Sequence, residues 1–270
     1  MSYKDVVSLM SSLKRKLKNE EVVLGTWITI NHPDVVDALS ELPLDWLVFD
    51  MEHAPLEISD VEVLLMPLRG VDISPIIRVP WNDMVIIKRA LDIGAEGILV
   101  PWVNSREEAE KAVSYASYPP RGLRGVGPRR AVRYGRRSFL DYYENFEKNE
   151  RILLVQIETG RALENLEEIL STPGIDVAYI GPMDLSVSLG IPLKFGDPRF
   201  QEALKKVRGV CEKYGVTPGI HAFSPEQARE FIFQGFRFVA LMSDLGIMRR
   251  GLMSTLAILG RIKEEAGAGY

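Results

Sequence analysis

Two acidic residues each follow a short apolar run, and the chain between the runs is long enough for one helix. Glu158 comes directly after the run at 153–157, and Asp184 comes shortly after the run at 177–180. If both runs are neighbouring parallel strands, the two carboxylates meet at one rim of a sheet. Paired hard oxygen ligands with room for water suit Mg²⁺ or Mn²⁺. The pattern predicts a divalent-metal site, with capping of the following helices as the alternative.

A second group of polar residues follows the apolar run at 45–50, where a connecting loop needs no such chemistry. Asp50, Glu52 and His53 stand within four residues of one another and precede Pro55. Histidine can act as a base near neutral pH when a carboxylate orients it. A lone histidine is more often structural, but the strand end and the acidic neighbours favour a catalytic role for this one.

Two basic side chains fall within or directly after other apolar runs. Arg78 interrupts an apolar strand, where an unpaired guanidinium would be costly to bury. It either forms an ion pair with Asp50 or Glu52, or serves as a fixed cation directed at a developing oxyanion. His221 follows the seventh apolar run, and it either contacts substrate or caps the next turn.

Residues beside the two acids would face the same rim. Gln156 lies two positions before Glu158 on one strand, so both side chains point to the same side. Gly181, Pro182 and Met183 are predicted to form a tight turn with unpaired main-chain N–H groups. Such a turn can hold a carboxylate through backbone donors. The sequence thus places candidate substrate ligands beside the candidate metal ligands.

Composition narrows the classes of protein to consider. The chain has 270 residues, 46% of them hydrophobic, and a formal net charge of −4. These values are typical of a soluble globular protein and favour neither nucleic acid nor a membrane as partner. A single cysteine, Cys211, excludes an intramolecular disulfide and favours a reducing cytoplasm. Residues 1–20 are amphipathic and charged, which predicts a surface helix against the first strand rather than a targeting signal.

Short β-branched runs alternate with amphipathic segments along the chain. We predict strands at 22–30, 45–50, 75–79, 96–101, 152–157, 176–181, 216–221 and 237–242. We predict helices at 33–42, 59–69, 83–93, 105–116, 160–171, 198–214, 224–234 and from 245 to about 265. Eight alternations favour a (β/α)8 TIM barrel, with a doubly wound open sheet as the alternative. No G-x-G-x-x-G follows the first strand and no flexible linker divides the chain, which favours one barrel domain over residues 1–270.

The segment 117–150 interrupts this alternation between the fourth and fifth strands. It carries five arginines between Pro128 and Ser138. Connections this long in a compact barrel are usually functional or mobile. We interpret it as leaving a strand end and lying over the mouth of the barrel, the catalytic face. It is then an anion-binding flap for a substrate carboxylate or phosphate, or else a solvated basic loop or subunit contact.

Several of these stretches together resemble the HpcH/HpaI family of metal-dependent pyruvate aldolases, of the 4-hydroxy-2-oxoheptanedioate and 2-keto-3-deoxy-sugar-acid aldolase type. The matching pieces run in family order across nearly the whole chain. They are Leu24-Gly25-Thr26-Trp27, D-x-E-H-A-P from Asp50 to Pro55, Arg78 with Trp81-Asn82-Asp83, P-P-x-G-x-R-G-x-G from Pro119 to Gly127, Gln156-Ile157-Glu158, and Gly181-Pro182-Met183-Asp184-Leu185-Ser186. Each piece is weak alone, and the combination is specific.

The resemblance implies a barrel that is usually assembled as a hexamer, a trimer of dimers, often with the last helix exchanged between subunits. It implies that Glu158 and Asp184 hold a divalent ion (Mg²⁺, Mn²⁺ or Co²⁺), which chelates the carbonyl and one carboxylate oxygen of pyruvate. Gln156 would orient the ligand, and the turn Gly181–Met183 would hold its carboxylate. Arg78 would stabilise the enolate oxygen.

In the same family His53 would act in proton transfer, with Asp50 and Glu52 organising its surroundings. Family members pair this histidine with an aspartate that matches Asp92. A residue near the end of the predicted helix 83–93 lies about 15 Å or more from its own site, at about 1.5 Å per residue. The resemblance and this geometry predict that Asp92 reaches a histidine of another subunit, and hence an obligate oligomer.

Two features depart from the family pattern. The segment after Gly127 is more basic than in the heptanedioate aldolases, and His221 stands where an aliphatic residue is expected. Both would face the aldehyde half of the substrate, so they affect the choice of aldehyde. Arg124, inside the P-P-x-G-x-R-G-x-G motif, is assigned to substrate binding.

We therefore expect a class II aldolase that cleaves a 4-hydroxy-2-oxo acid to pyruvate and an aldehyde through a metal-bound pyruvate enolate, and that runs in reverse. A Schiff base is disfavoured because no predicted strand contains a lysine. The rivals are a citrate-lyase-like or malyl-CoA-lyase-like carbon–carbon lyase, an oxaloacetate decarboxylase, and a non-catalytic barrel that binds a keto acid. A coenzyme A thioester would need a nucleotide site, and no phosphate-binding glycine loop is found.

Overall fold

Eight parallel strands pair in sequence order and close into a barrel in the computed structural model, which describes residues 11–262. The strands are β1 (Val23–Ile28), β2 (Trp46–Asp50), β3 (Ser74–Arg78), β4 (Gly97–Val100), β5 (Ile152–Ile157), β6 (Val177–Ile180), β7 (Thr217–Ala222) and β8 (Phe238–Ser243). Each lies within two residues of its predicted ends, and β8 pairs with β1. The (β/α)8 prediction is confirmed, and the open sheet is excluded.

Helices surround the barrel, and all but the first and the last lie in the connections between strands. They are α1 (Ser12–Lys18), α2 (Pro33–Ser40), α3 (Ile58–Leu64), α4 (Met84–Asp92), α5 (Arg106–Ala116), α6 (Phe139–Asn145), α7 (Gly160–Glu164), α8 (Leu166–Leu170), α9 (Pro182–Ser188), α10 (Pro198–Tyr214), α11 (Pro225–Gln234) and α12 (Asp244–Ile258). The helix predicted at 160–171 is two helices that meet at Asn165, and α9 was not predicted. Among residues 11–262, no helix has both the length and the apolar character to cross a membrane.

The interior of the barrel is filled by large side chains from alternate strand positions. Trp46 and Phe238 stack at 4.2 Å between ring centroids and 11° between planes. Gly25 on β1 lies against Trp46, because a Cβ there would come within 2.2 Å of the indole and of the Trp46 carbonyl oxygen. The close approach of this indole therefore requires a residue without a side chain on β1.

Helix α1 closes the amino-terminal end of the barrel. Leu13 and Leu17 are buried among the interior residues, and Lys14 Nζ lies 3.2 Å from Asp176 Oδ1. The prediction of a surface helix is therefore wrong for residues 12–18, although they do contact β1. Three of seven positions face the barrel, which a short amphipathic pattern cannot distinguish from packing on its side. Residues 1–10 of the predicted helix lie outside the described part of the chain.

The segment 117–150 lies at the amino-terminal rim, so its predicted place over the barrel mouth is wrong for the chain's own barrel. It follows α5 rather than a strand, and a helix in this fold returns the chain to the rim where strands begin. Arg130 Nη2 donates to Leu65 O at 2.6 Å, just past the end of α3. Ser11 N donates to Asn149 O at 2.9 Å, beside α1. Any role of this segment over a mouth requires the mouth of another subunit.

We predict that Gly25→Ala lowers the free energy of unfolding by about 3 kcal/mol, because overpacking against a main-chain carbonyl cannot relax by a rotamer change. Gly209→Ala is the matched control. Gly209 lies inside α10 with nothing near its Cβ position, so alanine there should stabilise by about 0.5–1 kcal/mol. Urea denaturation followed by circular dichroism measures both, and equal effects would contradict the packing of Gly25 against Trp46.

Candidate active site

The carboxyl-terminal rim brings the two predicted metal ligands to adjacent strand ends. Glu158 follows β5 and Asp184 lies in the first turn of α9, directly after the neighbouring strand β6. Glu158 is buried, and its carboxylate accepts two hydrogen bonds. The Trp102 N–H donates to Oε1 at 2.8 Å, and Gln156 Nε2 donates to Oε2 at 2.5 Å. Gln156 and Glu158 therefore lie on one side of the strand, as the sequence predicted.

The carboxylates at this rim repel one another. Burial, the largest cause, together with the charges of Glu52 and Asp184 raises the pKa of Glu158 to about 7. Burial also raises the pKa of Glu52, against the attraction of Arg78 and with a smaller contribution from Asp184. The three carboxylates are thus close enough to feel one another's charge, and a bound cation would relieve that repulsion.

Arg78 is fixed by two acidic residues, one at the end of β2 and one just after it. Its Nε and Nη2 donate to Asp50 Oδ1 and Oδ2 at 2.9 and 2.7 Å, and Nη1 lies 3.0 Å from Glu52 Oε2. Burial alone would lower the pKa of Arg78, but the hydrogen bonds and charge of Asp50 and the charge of Glu52 outweigh it and raise this pKa. The ion-pair interpretation is therefore correct. The guanidinium also interacts with the charge of Glu158, so it faces the same site.

His53 stands at the edge of this group and is largely open to solvent. Its side chain is 64% exposed, and Nε2 lies 3.9 Å from Glu52 Oε1. The main-chain N–H groups of Glu52 and His53 both donate to Asp50 Oδ1, at 3.0 and 3.2 Å. Asp50 therefore shapes the turn that carries the imidazole and leaves the ring accessible from outside the chain.

The segment predicted as a tight turn begins helix α9 instead. Gly181 is its N-cap and Pro182 its first residue, so the Met183 N–H has no intrahelical acceptor. A Cβ on Gly181 would lie 2.8 Å from Gln156 Nε2 and 3.0 Å from Glu158 Oε2. Glycine is needed here because both side chains pack directly against the backbone.

The donors at this rim fit a hard divalent cation. Glu158 and Asp184 supply carboxylate oxygens, and each Glu158 oxygen keeps a lone pair beyond the one its hydrogen-bond donor uses. The amide oxygen of Gln156 is buried without a hydrogen-bond partner, so an unsatisfied acceptor lies beside them. Within residues 11–262, no three histidine, cysteine, aspartate or glutamate side chains form a metal-binding group. A cation here would take two carboxylates and complete its shell with water and substrate oxygens.

Asp92 and Arg124 are not brought to this rim. Asp92 ends α4, and Arg124 lies in the segment 117–150 at the opposite rim. Arg124 Nη2 lies 2.7 Å from Asp92 Oδ1, in an ion pair. Arg124 Nη1 donates to Tyr142 Oη at 3.1 Å, and its guanidinium stacks on Tyr118 at 4.4 Å. Because the Arg124 side chain is fully buried, a single chain gives it a contact with Asp92 where the sequence predicted a contact with substrate.

His221 lies on β7, and its ring packs against two aromatic side chains. The ring centroids are 5.8 Å from Trp27 and 4.8 Å from Phe223. The next helix, α11, is capped by Ser224, whose side chain accepts from Gln227 N at 3.2 Å. Capping by His221 is therefore excluded.

Two tryptophans shape the site, and neither was predicted from the sequence to be a site residue. Trp102 has φ of +55°, which is uncommon outside glycine, and this turn directs its N–H at Glu158. The Arg78 guanidinium lies 4.3 Å above the ring of Trp27, whose Nε1 donates to Tyr179 Oη at 3.1 Å. The alternation of β1 would have shown that Trp27 faces inward. No sequence signal marks the left-handed turn at Trp102.

Known proteins resemble this chain over most of its length. Residues 24–250 match the HpcH/HpaI aldolase/citrate lyase family. The chain is 40% identical over 240 residues to the 5-keto-4-deoxy-D-glucarate aldolase of Escherichia coli O6:H1, across 88% of this chain and 93% of that protein. The structure of an HpcH/HpaI aldolase/citrate lyase family protein from Burkholderia cenocepacia superposes with a TM-score of 0.87 at 31% identity, over 93% of this chain and 99% of that one. The structure of the citrate synthase SbnG superposes with a TM-score of 0.81 at 28% identity, over 95% and 100% of the two chains.

The family match covers the strands that carry the site, from β1 to β8. The barrel topology, the paired carboxylates and these likenesses agree with one another. The chain therefore belongs to the HpcH/HpaI aldolase/citrate lyase family and is a carbon–carbon lyase, an aldolase that depends on a divalent metal ion.

Proposed function

We propose that this aldolase cleaves 4-hydroxy-2-oxo acids to pyruvate and an aldehyde, and condenses the two in reverse. The observation that carries the proposal is the pair Glu158 and Asp184 on adjacent strand ends, facing a guanidinium, Arg78, that Asp50 holds in place. This arrangement combines oxygen ligands for a cation with a positive charge for a developing oxyanion. The likeness to 5-keto-4-deoxy-D-glucarate aldolases supports a substrate of this class.

Glu158 and Asp184 would hold the divalent ion, which we propose to be Mg²⁺, Mn²⁺ or Co²⁺. When bound, such an ion polarises the 2-oxo group of the substrate. Gln156 would direct its unpaired amide oxygen toward the ligand shell. The segment Gly181–Met183 lies beside these side chains and would accommodate the substrate carboxylate, with the Met183 N–H as a donor.

Arg78 would stabilise the charge that cleavage produces. A base removes the proton of the C4 hydroxyl, the C3–C4 bond breaks, and its electron pair passes to the pyruvate half as an enolate. Of the five N–H donors of a guanidinium, two bind Asp50 and one faces Glu52, so two remain for the enolate oxygen. Because Arg78 is held by Asp50 and lies over Trp27, it needs little reorganisation to meet that charge.

His53 would carry the proton, and a second subunit would complete its surroundings. The imidazole is exposed in the single chain, so a group that orients it has room to approach from outside. Asp92 is the candidate because Arg124 fixes its Oδ1, and its side chain remains 16% exposed at the opposite rim. An aspartate so held can be presented to the mouth of a neighbouring barrel.

We propose a cytoplasmic homohexamer, the assembly that the family resemblance implies, and the surface of helix α12 supports self-association. Helix α12 and its C-cap residue expose large apolar side chains, namely Leu245, Met248, Leu252 and Ile258 on the helix and Leu259 at the cap. A groove of about 350 Å³ lies beside it, lined by Val35, Leu39 and Met248 among others. Exposed apolar surfaces of this kind mark protein–protein contacts. A second copy of this chain, with or without exchange of the last helix, would cover them.

A Schiff-base mechanism would need a lysine in the barrel mouth. No strand within residues 11–262 carries one, which agrees with the sequence. Lys14 is buried, but its Nζ is bound to Asp176 and to the Arg151 carbonyl oxygen at the opposite rim. These positions favour the metal-dependent route.

Citrate-lyase-like or malyl-CoA-lyase-like cleavage and oxaloacetate decarboxylation form the second candidate function. The likeness to the citrate synthase SbnG favours it, because the same scaffold then handles a related carbon–carbon bond. A thioester substrate would also need a nucleotide site, for which the sequence has no glycine loop. A non-catalytic keto-acid-binding barrel would not need the set of Glu158, Asp184, Arg78 and His53 together.

We predict that exchange of pyruvate methyl protons with solvent deuterium requires Mg²⁺, Mn²⁺ or Co²⁺ and stops in EDTA. Glu158→Gln and Asp184→Asn should each lower the exchange rate at least about 100-fold, since both remove an oxygen ligand. Calorimetry should show Mn²⁺ affinity falling about 10- to 100-fold. Glu107→Gln, which changes an exposed helical carboxylate paired with Lys111, is the control. Full exchange in EDTA would contradict the proposal.

We predict that borohydride added with pyruvate leaves the intact mass of the protein unchanged. A Schiff base on any lysine would be reduced to a stable adduct with the mass of the pyruvate skeleton. Detection of that adduct, with activity retained in EDTA, would revive the lysine mechanism.

We predict that His53→Ala and Asp92→Asn proteins are each at least about 100-fold less active, and that co-expressing them restores activity. A site shared between subunits can then take His53 from the Asp92→Asn chain and Asp92 from the His53→Ala chain. Random mixing restores about a quarter of the wild-type sites, because each contribution is intact half the time. If activity is not restored, either both residues act in the site of one chain or they do not act in the same site, and the shared site is contradicted.

A further inference from the structure

His221 occupies the inner layer of the barrel at the level of the active-site arginine. Its ring packs against Trp27, and the same indole carries the Arg78 guanidinium 4.3 Å from its centroid. Burial and the charge of Arg78 lower the pKa of His221 to about 3. The direction of this shift favours the neutral imidazole near neutral pH.

The ring nitrogens of His221 have no partner among residues 11–262. No hydrogen bond from a described side chain or main-chain group reaches either nitrogen, and the residue is only partly buried. A neutral imidazole carries one N–H donor and one acceptor nitrogen. Neither ring nitrogen is among the buried unpartnered atoms of the described residues, so both remain accessible and can form hydrogen bonds with a molecule that fills the mouth.

The neighbours of His221 form an aromatic wall, which we define as Trp27, Phe195 and Phe223. Phe195 and Phe223 stack at 5.5 Å and 22°, and Phe223 then meets the imidazole at 4.8 Å. Apolar rings on both sides would suit an aliphatic side chain at position 221 equally well. The imidazole adds a polar contact that packing does not require.

The position of β7 relates His221 to one half of the substrate. The proposed ligands of the pyruvate half lie on β3 and after β5 and β6, and β7 is the next strand around the barrel. The mouth beyond these ligands is left for the aldehyde half. A hydroxyl group both donates and accepts hydrogen bonds, so it matches a neutral imidazole, whereas a carboxylate matches only the N–H.

We propose that His221 is a specificity-determining residue that hydrogen-bonds a hydroxyl group on the aldehyde half of the substrate. This inference rests on the proposed aldolase function. It assigns to the chain a preference for hydroxylated aldehydes over their deoxy analogues. A site built to bind a hydroxyl rejects the analogue that lacks it, because the polar protein group is then left unpaired.

The test compares glycolaldehyde with acetaldehyde as acceptors for pyruvate in the presence of Mn²⁺. For the wild-type protein, kcat/KM should favour glycolaldehyde about 10- to 100-fold. His221→Leu should abolish that preference and keep kcat/KM with acetaldehyde within about threefold. His221→Asn, which keeps a donor and an acceptor, should restore part of it. Phe223→Leu removes a ring from the same wall and should change both efficiencies in parallel.

Two outcomes would overturn the inference about His221. One is a wild-type protein that does not favour glycolaldehyde, and the other is a His221→Leu protein that loses both aldehydes in parallel. Metal-dependent proton exchange of pyruvate is measured on the same samples and involves no aldehyde. Either of these outcomes with intact exchange therefore rejects the role of His221 alone, whereas absent exchange in the wild type rejects the aldolase proposal itself.

Discussion

The bidentate ion pair between Asp50 and Arg78 is the interaction on which the rest of the site depends. It joins the ends of β2 and β3, and the same Asp50 oxygen that accepts from Arg78 also accepts the main-chain N–H groups that shape the turn to His53. Removing one partner of a buried pair generally costs about 3–5 kcal/mol, since the other charge is left uncompensated. The Asp50 carboxylate thus fixes the position of the Arg78 guanidinium and the turn that carries His53, the candidate base.

The charge balance around Arg78 explains why the site suits a metal ion. Glu52, Glu158 and Asp184 share a partly buried region near the Arg78 guanidinium, and burial together with mutual repulsion raises the pKa of Glu158. Such an arrangement is unfavourable in an isolated chain. A divalent cation would convert the repulsion into ligation, so the folded barrel is prepared for binding at some expense to its own stability.

In the proposed oligomer, the two rims of the barrel would contribute different groups to a site shared between subunits. The carboxyl-terminal rim holds the carboxylates and Arg78, while the amino-terminal rim holds Asp92 against a buried Arg124. Arg124 is packed among aromatic rings, which makes the position of Asp92 rigid. Because Asp92 and His53 lie at opposite rims of one barrel, the proposed pairing of this acid with this histidine needs two different chains. The single chain therefore holds Asp92 and His53 at opposite rims, as the proposed shared site requires.

The sequence by itself determined the barrel and the residues at its mouth. Apolar runs of strand length mark strands buried on both faces, and parallel strands necessarily end at one rim, so Glu158 and Asp184 could be placed together before any coordinates. The segment 117–150 was predicted at the wrong rim. It follows a helix that was itself correctly predicted, so its location at the amino-terminal rim could have been deduced from the sequence. Only the tertiary structure decided that Arg78 pairs with Asp50, that Trp102 turns its N–H to Glu158, and that Arg124 is buried beside Asp92. These contacts join residues far apart in the chain, and their geometry depends on packing that periodicity and local propensity do not encode.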